Sequence, residues 1–124
     1  MWSRLLGISS TKCNGDAAER IAERYLGVNG LVCIERNFRS RFGEIDLIMK
    51  HGECLVFVEV RLRKNNQFGG AGASIGHSKQ QRIIAAAQHY LRGMQAPPPC
   101  RFDALLMNDL STSGIEWIQD AFGT

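Results

Sequence analysis

Gly43, Glu44, Ile45, Asp46, Leu47, Ile48 and Met49, followed after Lys50, His51, Gly52 and Glu53 by Cys54, Leu55, Val56, Phe57, Val58, Glu59, Val60, Arg61 and Leu62, read as two strands joined by a tight turn. Both runs are rich in the branched and aromatic side chains that pack well on a pleated surface. The short connection at His51 and Gly52 makes them an antiparallel hairpin. In the second run the even positions Cys54, Val56, Val58, Val60 and Leu62 are all apolar, while the odd positions pass from Leu55 and Phe57 to Glu59, Arg61 and Arg63. Successive strand side chains point to opposite faces, so this strand is buried on both sides at first and then one face turns polar. A carboxylate placed straight after a run of hydrophobes needs compensation by a cation or by hydrogen-bond donors. Its partner is either an arginine or a metal ion.

The first run supplies Asp46 between Ile45 and Leu47, with Glu44 expected on the same face two residues earlier. Three carboxylates on neighbouring strands suit Mg²⁺ or Mn²⁺, because such an ion takes one or two carboxylates, keeps several waters and leaves positions for a substrate phosphate. The same spacing also suits a ladder across paired strands in which Arg61 or Arg63 neutralises Asp46 and Glu59. Spacing alone leaves both readings open.

Outward from this hairpin, apolar residues at 18, 21, 22, 25 and 26 predict an amphipathic helix over Ala17 to Leu26. Asp16 and Glu19 have the spacing of a capping box at its start, and Gly27, Asn29 and Gly30 end it. Leu31 to Phe38 reads as a further strand. Asn65 to His77, with Gly69, Gly70, Gly72 and Gly76, predicts a mobile surface loop; it lacks the Gly-Lys-Ser/Thr ending of an ATP-binding loop. Ser78 and Gln81 are spaced as a second capping box, opening a helix to about Arg92 that buries Ile83, Ile84, Ala87 and Leu91. Pro97, Pro98 and Pro99 stop it, and Arg101 to Met107 and Ile115 to Ile118 read as two more strands around a turn at Ser111 to Gly114.

A chain of 124 residues, 44% hydrophobic and 22% charged, fits one soluble globular domain spanning 1–124, with residues 1–12 expected to be flexible. The apolar run Cys54 to Val58 is far too short to cross a bilayer, and the patch at Leu5, Leu6, Gly7 and Ile8 is too short for a signal-peptide core. A cytoplasmic protein with no membrane partner is expected. The cysteines at 13, 33, 54 and 100 lack the close pairing of zinc sites and read as reduced and structural. His77 and His89 are too far apart for a local metal pair and read as surface or nucleic-acid-facing. The net charge of +3 hides an asymmetry, because Val60 to Phe102 holds Lys or Arg at 61, 63, 64, 79, 82, 92 and 101 and no Asp or Glu. A stretch free of acids is what a phosphate-facing surface requires, and Arg61, Arg63, Lys64, Lys79 and Arg82 are its candidate nucleic-acid contacts. A solvated basic loop and helix face would look the same.

The segments Gly43 to Ile48 and Val56 to Val60 resemble the signature of the YraN family of endonuclease-like proteins. That family is similar to archaeal Holliday-junction resolvases and belongs to the PD-(D/E)XK nuclease superfamily. The likeness extends to Ala18, Glu19, Ala22, Tyr25 and Leu26, to Asn37 and Arg39, to Gly69 to Ile75 with Lys79 and Gln80, and to Arg101, Phe102 and Asp103. It implies an α/β, restriction-endonuclease-like core with a mixed central β-sheet flanked by α-helices. It also implies a metal-dependent endonuclease that hydrolyses phosphodiester bonds in DNA, branched forms included, with Mg²⁺ or Mn²⁺ as cofactor and a homodimer as a plausible assembly.

By this resemblance Asp46 is the motif's central aspartate, Glu59 its second acid, and Glu19 the helix glutamate that can complete the metal shell, a role that competes with capping. Arg61 occupies the place of the motif's lysine and is the departure that matters. Arginine stays protonated and cannot act as a base, though it can hold a phosphate and stabilise developing negative charge. Three outcomes are compatible with it: arginine suffices, Lys79 reaches in from its helix N-terminus, or the chain is a non-catalytic nucleic-acid-binding module with a degenerate nuclease site. A surface lysine in a first helical turn is the ordinary reading of Lys79.

Overall fold

The computed structural model describes residues 13–62, 75–108, 110 and 112–123. Its elements follow the expected order: helix α1 (Cys13–Val28), strands β1 (Val32–Ser40), β2 (Gly43–His51) and β3 (Cys54–Leu62), helix α2 (His77–Leu91), strand β4 (Cys100–Met107), a 3-10 turn at Thr112–Gly114 and strand β5 (Glu116–Phe122). The five strands form one mixed sheet in chain order. β1, β2 and β3 pair antiparallel, β3 and β4 pair parallel through the crossover that contains α2, and β5 returns antiparallel on β4. Two helices flanking this sheet give the α/β architecture expected of a restriction-endonuclease-like core. Among the described residues no helix is long and apolar enough to cross a membrane.

Each helix covers one face because each carries one apolar stripe. Ala18, Ala22 and Leu26 of α1 pack on Leu47, Met49, Val56, Val58, Leu105 and Met107. Ile83, Ile84, Ala86 and Ala87 of α2 pack on Ile45, Ile48, Leu55, Phe57 and Phe102. On the α2 side Phe57 stacks on Phe102 at 5.4 Å and Phe102 on Phe122 at 5.1 Å, with Tyr90 edge-on to Phe57 and Phe38. α1 is tied to β1 by a two-bonded pair in which Arg36 donates from Nε and Nη2 to the two carboxylate oxygens of Glu23 at 2.7 and 2.9 Å.

The two faces show where β2 departs from a regular strand. In unbroken alternation Ile45, Leu47 and Met49 would share a face, but Ile45 lies in the α2-side cluster with Ile48 while Leu47 and Met49 lie in the other. The change falls at Asp46. On β1 the residue between the partners of Ile45 and Leu47 is Asn37, whose φ of +54° is left-handed. At the start of β2, Gly43 (φ +158°) lies so close to α2 that an added Cβ would come within 3.1 Å of Arg82 Cβ and backbone O. The glycine lets β2 pass against the helix that carries part of the site.

At the other end of the sheet Asp103 is fully buried. Its carboxylate accepts from Arg101 Nε (2.9 Å) and Nη2 (3.1 Å), Trp117 Nε1 (2.9 Å) and Asp120 N (2.9 Å). Arg101 Nη2 also meets His51 Nδ1 at 3.0 Å. This network locks β4 to β5 and accounts for Arg101 and Asp103 as framework residues.

Several expectations change. α1 begins at Cys13, so Asp16 lies inside its first turn and does not cap it with Glu19. α2 has Gly76 at its N-cap with no side-chain cap, so the Ser78 and Gln81 box does not form; Ser78 Oγ instead accepts from Arg82 at 3.3 Å. In both cases the helix starts before the residue expected to cap it. β5 runs past Ile118 to Phe122, since Asp120, at φ +54°, bends it back onto Asp103. Leu91 is only partly buried. Among Cys33, Cys54 and Cys100, all free thiols, Cys100 is exposed and not a core residue. Residues 1–12, Cys13's side chain, Arg63, Lys64 and the glycine-rich loop up to residue 74 lie outside what is described.

The left-handed backbone at Asn37 sets a test. Asn37→Val should lower stability by about 1–2 kcal/mol, a fall in Tm of roughly 3–6 °C, because a branched residue resists φ > 0. Asn37→Gly should stay close to wild type; equal losses in the two variants, read by thermal unfolding, would show that the amide's contacts matter and the backbone does not.

Candidate metal and nucleic-acid site

Pairing between β2 and β3 runs from His51 and Cys54 to Leu47 and Val58 and stops there. The next position brings Asp46 level with Glu59. With the strands no longer exchanging backbone hydrogen bonds, Val60 N–H is left over, and Asp46 Oδ2 accepts it at 2.9 Å. The aspartate thus stands in for a missing backbone carbonyl, which fixes its carboxyl between the strands.

Glu59 is buried, with 5% of its surface exposed. Its Oε2 lies 3.5 Å from Arg61 Nη2 and 3.7 Å from Lys79 Nζ, in the first turn of α2. Both distances exceed a good N–H···O hydrogen bond, so neither cation saturates the carboxylate. Glu19 completes the group from α1. It lies one turn before Glu23, whose grip on Arg36 sets the helix against the sheet, and its carboxyl is in hydrogen-bonding contact with Asp46, as is that of Glu59.

Burial raises the proton affinity of both Asp46 and Glu59. Burial, foremost, pushes the Asp46 carboxyl up, opposed by the Val60 N–H, Glu19, Lys79 and Glu59. Glu59 is pushed up to about 7, first by burial and then by the charge of Asp46, while Lys79 and Arg61 pull it down. Among the described residues no three His, Cys, Asp or Glu side chains surround one metal-sized centre. The donor set is therefore a two-carboxylate pair with Glu19 bonded to Asp46, and this fits an ion such as Mg²⁺ that draws its other ligands from water and phosphate.

Of the sequence candidates, Asp46, Glu59, Arg61 and Glu19 come together here. Lys79 joins them, although its place in a first helical turn suggested an ordinary surface lysine. Glu44 does not: it is exposed and pairs with Arg39 at 3.4 Å. Its separation from Asp46 follows from the broken alternation of β2, which a two-residue period cannot anticipate. Arg82 is exposed on α2, one turn beyond Lys79. His89 is half-buried, its ring 5.8 Å from that of Phe42 and 6.3 Å from that of Phe38. The left-handed Asn37 and the Val60 N–H, which position Asp46, gave no chemical signal of their own in the sequence.

The family model described as "Uncharacterised protein family UPF0102" matches residues 18–107, which contain every residue of this cluster. The chain belongs to family UPF0102. A UPF0102 protein of Methylobacillus flagellatus is 57% identical over 108 residues, covering 87% of this chain and 95% of that protein. One from Nitrosospira multiformis is 53% identical over 111 residues, 90% and 93% of the two chains. One from Psychromonas ingrahamii is 52% identical over 119 residues, 96% and 95%. The UPF0102 relatives carry names that specify no activity, so for this UPF0102 chain the chemistry has to be argued from the cluster.

The raised proton affinity of Glu59 gives a pH dependence of definite sign. Its folded value of about 7 lies above the ordinary 4.5. The stability it contributes is therefore fully present below pH 4.5 and is lost as pH rises through about 7. In EDTA, Glu59→Gln should match wild type at pH 4.5 and exceed it at pH 8 by an amount on the order of 2–3 kcal/mol. Urea unfolding at the two pH values measures this; a variant advantage that does not grow with pH would refute the carboxyl pair.

Proposed function

We propose that this chain is a metal-dependent endonuclease that hydrolyses phosphodiester bonds in DNA, branched forms included, and that it does so at the Asp46, Glu59, Lys79 and Arg61 cluster. One observation carries the reading: carboxyls from α1, β2 and β3 converge, and the cations nearest the buried Glu59 stand off at 3.5 Å (Arg61) and 3.7 Å (Lys79), beyond a close hydrogen bond. An arginine ladder would have closed those gaps, and a purely structural acid would have been supplied with donors.

Asp46 and Glu59 would hold Mg²⁺ or Mn²⁺, with Glu19 orienting Asp46. Such an ion, when bound, lowers the pKa of water and offsets negative charge on the phosphate. The remaining work falls to the chain. Arg61, partly exposed, remains protonated and is suited to grip phosphate oxygens through its planar fork and to stabilise the charge that grows on them. Lys79, 3.7 Å from Glu59, is placed to orient an attacking water and to offset charge on the phosphate. On this reading the site draws its lysine from α2, while β3 supplies Arg61. The acid-free stretch from Val60 to Phe102 carries both cations and supports a nucleic-acid partner. A cytoplasmic setting and a homodimer belong to the same proposal.

Purified protein incubated with Mg²⁺ or Mn²⁺ and linear, nicked, flap and four-way DNA tests it. Cleavage should require the metal and fall by about 100-fold or more in Asp46→Ala and Glu59→Ala. Lys79→Ala should lose more than Arg61→Lys, with a loss of roughly 10²-fold or above if Lys79 orients the water. Binding that weakens steeply with salt, without cleavage in any metal, would instead establish the non-catalytic nucleic-acid-binding module.

A further inference from the structure

The turn between β1 and β2 places a second group of chemistry-bearing side chains on the same strand as Asp46 but away from the acid cluster. Arg41 is exposed, and its guanidinium carbon lies 5.1 Å from the centroid of the Phe42 ring. Phe42 is backed by His89 of α2 at 5.8 Å, and His89 in turn by Phe38 at 6.3 Å. His89 Nδ1 is buried and has no hydrogen-bond partner among the described residues, so aromatic packing holds this ring. The turn is braced as well: Ser40 Oγ accepts from Phe42 N at 3.1 Å and donates to Gly43 O at 3.2 Å.

The charges of this corner are unevenly paired. Arg39 is matched by Glu44 at 3.4 Å. Arg41 forms no ion pair among the described residues, so its positive charge is directed at solvent. A planar cation lying on an aromatic ring offers a flat, positive face. Such a face suits a nucleobase by stacking and a phosphate by charge. A base inside a duplex has both faces covered by its neighbours, whereas an unpaired base is free to stack.

We infer that Arg41 on Phe42, backed by His89, is a stacking platform that captures an unpaired nucleotide of a nucleic-acid strand running toward the Asp46 and Glu59 cluster. This rests on the reading of the chain as a nucleic-acid enzyme and narrows its substrate to nucleic acid with a single-stranded segment next to the reacting phosphate. Phe42, in the turn just before β2, precedes Asp46 by four residues, about 13 Å of extended backbone, a separation that a short single-stranded segment spans. Arg82, exposed on α2 one turn beyond Lys79 and with its Cβ and backbone beside Gly43, is a further cation on this side that a phosphate of the same strand would meet.

Fluorescence anisotropy in EDTA tests the platform apart from any cleavage. Wild-type protein is titrated with a blunt duplex and with the same duplex carrying a single-stranded tail of about ten nucleotides. The tailed form should bind about tenfold more tightly, and Phe42→Ala and Arg41→Glu should erase that preference while Phe42→Trp keeps it. Because Phe42→Ala opens space beside His89, circular dichroism melts accompany it, and the exposed Arg41→Glu provides an independent variant. A tail preference unchanged in these variants, equal losses on blunt and tailed DNA, or no binding to either would overturn the inference. A wild type that prefers tails but never cuts with metal sustains the platform and sinks the nuclease reading; one that cuts yet binds both forms equally does the reverse.

Discussion

The hydrogen bond from Val60 N–H to Asp46 is where the sheet stops being only a scaffold. Up to Leu47 and Val58 the two strands satisfy each other through the backbone, and beyond that level they do not. A side chain takes over the role of a carbonyl, so a carboxyl group is held in the interior with one oxygen already committed. That single substitution of side chain for backbone places a charge where Glu59 from the next strand and Glu19 from α1 meet it. The reversed alternation at Asp46 and the left-handed Asn37 beside it are the backbone's accommodation of the same break.

An arrangement of this kind opposes folding. Two carboxyls driven toward their protonated forms by burial and mutual repulsion contribute less than apolar side chains of similar size would at the same positions. Around them the core is well filled, with Leu47, Val56, Phe57, Val58, Leu105 and Leu106 fully buried on the central strands. The strong apolar packing of β2, β3 and β4 offsets a local electrostatic cost at the end of β3, which is how stored unfavourable interactions persist at functional positions.

The sheet was legible where a single principle governs. β3 begins and ends at the residues its two-residue period indicates, Cys54 and Leu62, and α2 buries Ile83, Ile84 and Ala87 as a 3.6-residue period requires. Asp46, Glu59 and Glu19 were recognisable as acids, and a resemblance to a family gave them a common destination. What could not be read were outcomes decided by distant parts of the chain. Whether Ser78 caps a helix depends on where Ile75 and Gly76 are held, and Gln80 Nε2 donating to Ile75 O at 2.9 Å settles that. Whether Lys79 faces solvent or Glu59 depends on the crossover bringing α2 back over the sheet, which no local pattern encodes. Glu44 was misplaced for the opposite reason, because a regular period was extended across a residue where the strand is irregular.

Asp103, fully buried, and Asp46, partly buried, show why burial alone identifies no site. Asp103 is the more deeply enclosed, yet its carboxylate receives two bonds from Arg101, one from Trp117 and one from the Asp120 backbone, so nothing about it calls for another partner. Asp46 accepts from Val60 N–H, and its other neighbours are the carboxyls of Glu19 and Glu59 and the amine of Lys79. The first is a closed account of donors and acceptors and acts as a framework. The second sits among carboxyls where three elements converge, and it is this difference in surroundings, not depth, that separates a framework acid from a candidate site.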